Sequence, residues 1–163
     1  MTILFLANGC SIHSYKWINY FSKKYNIVWL SVDGFDESFT KDETIKYIDC
    51  KLSKIKLINI IFGIIKVIYL SKKISIDLFH VHYLGYHTFL FTFARKIPLV
   101  LTAWGSDIVF GFNSFLRMKF LKHYLNVASI VTCDSHHMRK KINTLINNGG
   151  EALIINFGID TSY

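Results

Sequence analysis

The chain has 163 residues, 52% of them hydrophobic and 18% charged, which is enough for one globular domain with a substantial core and too few for two. With 19 basic and 11 acidic residues, the formal net charge of +8 favours polyanionic partners such as phosphate groups, anionic lipid headgroups or nucleic acid. A single proline, Pro98, and the lack of low-complexity tracts argue against an interdomain linker within the chain.

Short apolar segments alternate with helical patterns along the chain. The segments predicted as strands are 2–7, 26–32, 45–49, 77–81, 98–102, 129–133 and 152–155. The predicted helices are one that includes Trp17 and Phe21, the segments 54–73, 85–95 and 115–127, and one that follows Ser135. The acidic segment 33–43 is predicted as a mobile loop. Apolar strands that alternate with helices indicate a parallel sheet covered on both faces, and so a three-layer, doubly wound α/β domain of Rossmann-like type over residues 1–163.

The helix predicted over 54–73 is unusually apolar. Its few polar positions, which include Lys56, Asn59, Gly63 and Lys66, fall on one narrow stripe. Its unbroken apolar run is about half of the roughly 20 residues that a membrane span needs. We therefore predict a helix buried in the domain with a thin wet stripe; the alternative is a helix in the membrane interface, with its lysines on lipid phosphates.

Three cysteines, Cys10, Cys50 and Cys133, are scattered and form no C-x-x-C pair, which favours free thiols in a reducing compartment. The first apolar run is too short for a signal sequence. A cytoplasmic location is therefore expected.

The segments that follow the predicted strands collect glycines, histidines, a tryptophan and carboxylates. In a doubly wound sheet, ligands bind beyond the carboxyl ends of the strands, at the switch in strand order. These segments are 8–13, 82–85, 104–107, 134–135 and 156–160. Their composition indicates a binding site rather than inert loops.

Four segments carry a family resemblance. Residues 77–83 read DLFHVHY, 98–107 read PLVLTAWGSD, 128–135 form a strand that ends in serine, and 156–160 read NFGID. In this order and on these strand ends, they resemble the N-terminal domain of family 4 glycosyltransferases, which have the GT-B architecture. The resemblance extends from Met1 to Asp160.

This resemblance implies two Rossmann-like domains that face each other across a cleft, with the acceptor bound mainly by the N-terminal one. The C-terminal domain of the family binds the nucleotide sugar and carries an E-x7-E element. Glutamates occur here only at positions 37, 43 and 151, so that element is missing and we expect the donor-binding domain to be absent from the chain. The chain alone is then expected to be inactive. The nucleotide sugar would be a substrate, and no cofactor or metal is expected.

The resemblance also implies candidate site residues, and His82 and Asp107 are the catalytic candidates. His82 would contact an acceptor hydroxyl, whereas Asp107 would either contact the acceptor or brace its own loop. Gly9 would approach the donor phosphates or simply form a tight turn, and His13 would contact phosphate or sugar, or be a surface histidine. His80 is expected in the core; with His82 it has no third ligand at metal-site spacing.

Further substrate-binding candidates lie on the neighbouring loops. Trp104 stands where many relatives have a histidine; because an indole cannot accept a proton, sugar stacking or loop packing is expected. Ser135 would donate to a phosphate or, as we favour, cap a helix. Tyr83 and His87 would line the same rim as His82, and the remaining candidates are Gly105, Gly158 and Asp160.

The predicted function is transfer of a sugar from a nucleotide-sugar donor to a polysaccharide or lipid-linked acceptor, with retention at the anomeric carbon. Weak attachment to the inner face of the cell membrane is expected, because the implied acceptors are often lipid-linked. The alternative is a non-catalytic, membrane-associated subunit that recruits a separate donor-binding protein. Nucleic-acid binding has no recognition motif to support it.

Overall fold

Seven strands and six α-helices alternate in the computed structural model, which describes residues 1–91, 96–111 and 115–156. The strands are β1 Thr2–Leu6, β2 Asn26–Ser31, β3 Ile45–Asp49, β4 Leu78–His82, β5 Leu99–Thr102, β6 Ile130–Cys133 and β7 Leu153–Ile154. The helices are α1 Ile12–Ser22, α2 Lys56–Lys73, α3 Tyr86–Leu90, α4 Ser106–Gly111, α5 Phe115–Val127 and α6 His136–Asn143.

All strand pairs are parallel, and the order across the sheet is β3-β2-β1-β4-β5-β6-β7. Strand order reverses between β1 and β4, where Ile3 pairs with Leu78 and Leu6 with Val81. This is the doubly wound topology predicted from the sequence, and it opens a crevice beyond the carboxyl ends of β1 and β4.

The core is divided by the sheet into two apolar clusters. The smaller one joins Ile18 of α1 to Phe5 and Trp29. The larger one joins inward residues of α2, α3, α5 and α6 to the opposite face of the sheet, and includes Leu4 and Leu101. α1 therefore covers one face, and the other five helices lie on the second, where α4 contributes the buried Ile108.

Two regions differ from the sequence prediction. Residues 106–111 form a helix, α4, that was not predicted; the loop expected after β5 covered residues 103–107. The segment 33–43 is packed rather than loose: residues Glu37–Phe39 form a 3₁₀ helix, the Phe39 ring stacks on Tyr15 at 4.6 Å, and the Phe39 carbonyl accepts a hydrogen bond from the Tyr47 hydroxyl at 3.0 Å. Of the helix predicted over 85–95, residues 92–95 lie outside the described part of the chain.

The predicted orientation of α2 is wrong. Asn59 and Gly63, which were assigned to the wet stripe, are buried against the domain. Asn59 uses its whole amide there, accepting from the backbone N–H groups of Leu52 and Ser53 and donating to the carbonyls of Val32 and Ser53. A satisfied asparagine and a small glycine suit close packing, so the apolar side of this helix is left facing outward.

No helix among the described residues is long and apolar enough to cross a membrane. Cys10 is exposed, Cys50 and Cys133 are buried, and all three are free thiols.

Candidate active site

A polar cleft of about 330 Å³ lies at the switch point of the sheet. Its walls include Ser11 and Ser14 at the start of α1, His82 and Tyr83 at the end of β4, and Trp104 after β5. α1 begins here because Ser11 caps it, accepting from the Ser14 amide. Parallel strands that end at one edge therefore bring together residues distant in the sequence.

His82 is buried in the wall of this cleft. Its Nδ1 lies 3.4 Å from Ser14 Oγ, whereas its buried Nε2 has no hydrogen-bond partner within the described ranges. Burial, reinforced by the neighbouring His80 and His87, holds the pKa of His82 well below its ordinary value. The ring is therefore a neutral imidazole with hydrogen-bonding capacity left for a ligand.

His80 has the core role that was expected. Its Nε2 lies 2.8 Å from Thr102 Oγ1, which in turn lies 2.8 Å from Thr132 Oγ1, so a buried polar ladder crosses three strands. Burial lowers the pKa of His80 to about 3, and the ring stays neutral.

A charged network lies beside the cleft, and only the rim position of His87, one of its members, was predicted from the sequence. Asp33, just after β2, pairs with Lys56 at the start of α2 and accepts a 2.6 Å hydrogen bond from the Tyr86 hydroxyl. His87 Nε2 lies 3.5 Å from the same carboxylate, and burial lowers the pKa of His87 to about 3, with the Lys56 charge as a smaller cause. Tyr86 and His87 also line the cleft. No local motif marks this cluster, because its members come from three separate segments.

Asp107 braces its own loop, one of the two roles predicted for it. Its buried carboxylate accepts hydrogen bonds from the backbone N–H groups of Leu84, Trp104 and Ile108 at 2.8–3.2 Å. Burial raises its pKa above the ordinary value, while these backbone donors act in the opposite direction. Asp107 thus ties the loop after β4 to the loop after β5, and this geometry favours positioning over direct catalysis.

Trp104 and His13 meet at the mouth of the cleft. Their rings are 5.0 Å apart, and Trp104 is 5.4 Å from the His82 ring. His13 is exposed and Trp104 half-buried. Gly105, which follows, has φ +99°, a conformation that favours glycine and turns the chain into α4. The structure thus brings both predicted rings to one rim.

Tyr83 stands out by its backbone. Its φ of +70° is the only positive value of a non-glycine residue within the described ranges. Such a conformation in a large side chain is uncommon and concentrates at functional sites. It turns the chain sharply after β4 and makes Tyr83 part of the cleft wall.

Gly9 is held by packing within the protein. Its N–H donates to Ser31 Oγ at 2.9 Å, and a Cβ here would overlap the Gly34 carbonyl oxygen. The tight-turn alternative therefore accounts for this glycine. Ser135 likewise caps α6, accepting from the Met138 amide at 3.3 Å. Gly158 and Asp160 lie outside the described residues.

A second, apolar groove of about 600 Å³ adjoins the cleft. Tyr83 and Tyr86 line both cavities, and Phe89, Leu116 and Phe120 form the apolar wall of the groove. The polar cleft and the apolar groove therefore share a wall formed by Tyr83 and Tyr86.

Within the described residues, no group of three or more His, Cys, Asp or Glu residues has an arrangement that would hold a metal ion.

The family model described as glycosyl transferase 4-like matches residues 2–135. The chain belongs to this family. The matched residues include the segments that follow β1, β4, β5 and β6, and so include every described residue that lines the polar cleft. It confirms the predicted N-terminal, GT4-like domain. No curated protein shows significant sequence similarity to the chain.

Solved structures with the same fold include two glycosyltransferases. Sucrose-phosphate synthase from Thermosynechococcus elongatus superposes with a TM-score of 0.74 at 11% identity, over 98% of this chain and 48% of that one. The lipopolysaccharide outer core galactosyltransferase WaaB, in its apo form, gives a TM-score of 0.66 at 14% identity, over 98% and 46%. The glycosyl transferase 4-like chain therefore spans about half the length of these proteins.

UDP-N-acetylglucosamine 2-epimerase from Rickettsia bellii is also similar in fold, with a TM-score of 0.62 at 15% identity over 88% of this chain and 41% of that one. At such identities the likeness concerns the fold alone. Because one fold supports different reactions, the residues of the cleft must carry the functional argument.

Proposed function

We propose that this chain is the acceptor-binding half of a glycosyltransferase that moves a sugar from a nucleotide-sugar donor to a saccharide acceptor, polysaccharide or lipid-linked, with retention at the anomeric carbon. Membership of the glycosyl transferase 4-like family supports the reaction class. The donor would be bound by a second domain across the cleft.

The observation that carries the acceptor assignment is the neutral, polar lining of the cleft. The described residues of its walls carry hydroxyl, amide, imidazole and indole groups, and none of them is a lysine, an arginine or a carboxylate. Burial keeps His82 and His87 uncharged, and the nearby Lys56 is paired with Asp33. Such a surface suits hydroxyl groups better than phosphate, and an indole at the mouth suits stacking on a sugar ring. The adjoining groove would suit the apolar part of a lipid-linked acceptor.

In this proposal each residue has a distinct task. The Nε2 of His82 forms a hydrogen bond with a hydroxyl of the acceptor saccharide and so orients that hydroxyl. His82 does not remove the proton completely, because the low pKa of its imidazole makes it a weak base. Trp104 stacks on the sugar, and Asp107 holds the two loops at the spacing that the cleft requires.

Saccharide binding by the chain itself tests the assignment. We expect neutral oligosaccharides to perturb tryptophan fluorescence and to bind with a measurable enthalpy in calorimetry, and Trp104→Ala to weaken binding about tenfold. Tyr20→Ala, which removes an exposed aromatic ring on α1, is the matched control and should bind as the wild type does.

Transfer is tested with a protein in which this chain is joined to a GT-B donor-binding half and supplied with radiolabelled nucleotide sugars. Labelled product that His82→Ala reduces would support the enzyme. Saccharide binding without any transfer would instead support the non-catalytic subunit.

A further inference from the structure

The outward face of α2 is a continuous apolar stripe. Leu57, Ile61, Ile65 and Tyr69 follow one another at four-residue spacing and are 51–63% exposed, and Ile58 beside them is 43% exposed. A contiguous exposed apolar surface of this kind marks an interaction site rather than ordinary surface.

Lysines flank this stripe at both ends. Lys54 precedes the helix, and Lys72 and Lys73 end it on the exposed side. From residue 51 to residue 73 there are six lysines and no acidic residue. The ammonium groups of two lysines lie over aromatic rings. Lys66 Nζ is 5.1 Å from the Phe62 ring centre, and Lys73 Nζ is 5.6 Å from the Tyr69 ring centre. An exposed apolar stripe flanked by lysines is typical of a helix at a membrane interface.

We propose that the outward face of α2 docks on an anionic phospholipid membrane, with the stripe in the headgroup–acyl boundary and the lysines on lipid phosphates. A protein partner fits less well, because protein interfaces are depleted in lysine and enriched in arginine and aromatic residues. The helix has the length and composition to lie on a bilayer, and it does not qualify as a span.

The docked helix would place the membrane next to the cleft. Lys56, in the first turn of α2, bonds to the Tyr86 hydroxyl at 3.1 Å, and Tyr86 lines both the cleft and the apolar groove. A lipid-linked acceptor would therefore have only a short distance to travel. This last step rests on the proposed function, whereas the docking does not.

Vesicle flotation of the chain tests the docking. We expect binding to vesicles that contain roughly a third phosphatidylglycerol in phosphatidylcholine, and binding at least about tenfold weaker to pure phosphatidylcholine. The double variant Ile65→Glu/Tyr69→Glu should lose about tenfold or more of the binding to anionic vesicles. Because both side chains are exposed, the variant should keep the wild-type circular dichroism spectrum and melting temperature.

The matched control is Ile12→Glu/Tyr20→Glu on α1, which covers the opposite face of the sheet. These residues are the same types, 45% and 60% exposed, and the control has the same net charge as the test variant. It should bind anionic vesicles within about twofold of the wild type. Lys54→Gln/Lys72→Gln/Lys73→Gln should abolish the preference for anionic over neutral vesicles.

Equal losses in the two double variants would overturn the proposal, as would failure of the wild type to bind anionic vesicles. If the wild type fails to float and instead self-associates, while Ile65→Glu/Tyr69→Glu is monomeric in light scattering, the stripe is an interface between copies. Saccharide binding in solution does not involve this face, so failure of docking leaves the proposed function intact.

Discussion

Three buried histidines make the chain sensitive to acid at the residue scale. Burial lowers the pKa of His80 and of His87 to about 3, and holds that of His82 well below the ordinary 6.5. At a pH between the folded-state and unfolded-state pKa values of these histidines, the unfolded chain binds more protons than the folded chain. Their contribution to the free energy of unfolding is therefore fully present above pH 6.5 and is lost as the pH drops below it.

We expect each of these histidines to contribute a slope of up to about 1.4 kcal/mol per pH unit, or about 4 kcal/mol per unit together, once the pH is well below 6.5. Urea unfolding at several pH values between 7.5 and 5 measures this slope. His80→Gln should reduce it by about a third. A stability that is constant over this range would show that the rings are not buried in their neutral form.

Asp107 is expected to matter for stability more than for chemistry. Asp107→Asn replaces a carboxylate that accepts from three backbone N–H groups by an amide that accepts less strongly, and should lower the free energy of unfolding by about 2 kcal/mol. Because burial raises its folded-state pKa, Asp107 itself favours the folded state more as the pH falls, opposite in sign to the histidines.

Denaturant unfolding at pH 7 measures the effect of Asp107→Asn, with Asp134→Asn as the control on a half-buried carboxylate at the end of the next strand. If Asp107→Asn left the stability unchanged but abolished saccharide binding, the bracing role would be contradicted. The alternative role, direct contact of Asp107 with the acceptor, would then be supported.

At the scale of elements, the turn after β1 is fixed by close approach. Gly9 pairs with Phe35 in an isolated parallel bridge and lies against the Gly34 carbonyl. In Gly9→Ala the new Cβ would collide with the Gly34 carbonyl oxygen, which belongs to the backbone and not to the flexible end of a side chain. The two backbone segments would therefore have to move apart.

We expect Gly9→Ala to lower the free energy of unfolding by about 2–3 kcal/mol, as overpacking does in well-packed interiors. Gly150→Ala, in an exposed turn where the nearest atom is the Asn148 side-chain oxygen at 3.1 Å, should change it by less than about 1 kcal/mol. Thermal unfolding compares the two variants. Similar melting temperatures would refute the packing role of Gly9.

At the scale of the whole molecule, the polar cleft occupies one edge of the sheet, and the chain covers about half of the glycosyltransferases that it resembles in fold. We expect the chain alone to give no labelled product with any nucleotide sugar, because the donor contacts in this architecture would come from a second domain. A radiochemical transfer assay with a panel of donors checks this. Turnover by the chain alone would contradict the division of labour that we propose.

Much of the fold was predictable because its signals are local. Apolar strands that alternate with helical patterns lead to a parallel sheet, and the described strands lie within a residue or two of their predicted bounds. His82, Tyr83 and Trp104 were predicted at one rim because the ends of parallel strands meet at one edge, and they line the same cleft. The network of Asp33, Lys56 and Tyr86 was not predicted, since pairing between distant segments leaves no periodic trace in the sequence.

The sequence by itself determined the doubly wound class, the family and the edge of the sheet where the candidate site was expected, because periodicity and strand-end motifs are properties of neighbouring residues. The direction in which α2 faces was decided only by tertiary structure. Periodicity identifies two sides of a helix, but Asn59 finds all its partners inside and Gly63 fits tightly against Val32 and Leu90. The satisfied polar side is therefore buried and the apolar side faces outward, an outcome that depends on long-range contacts.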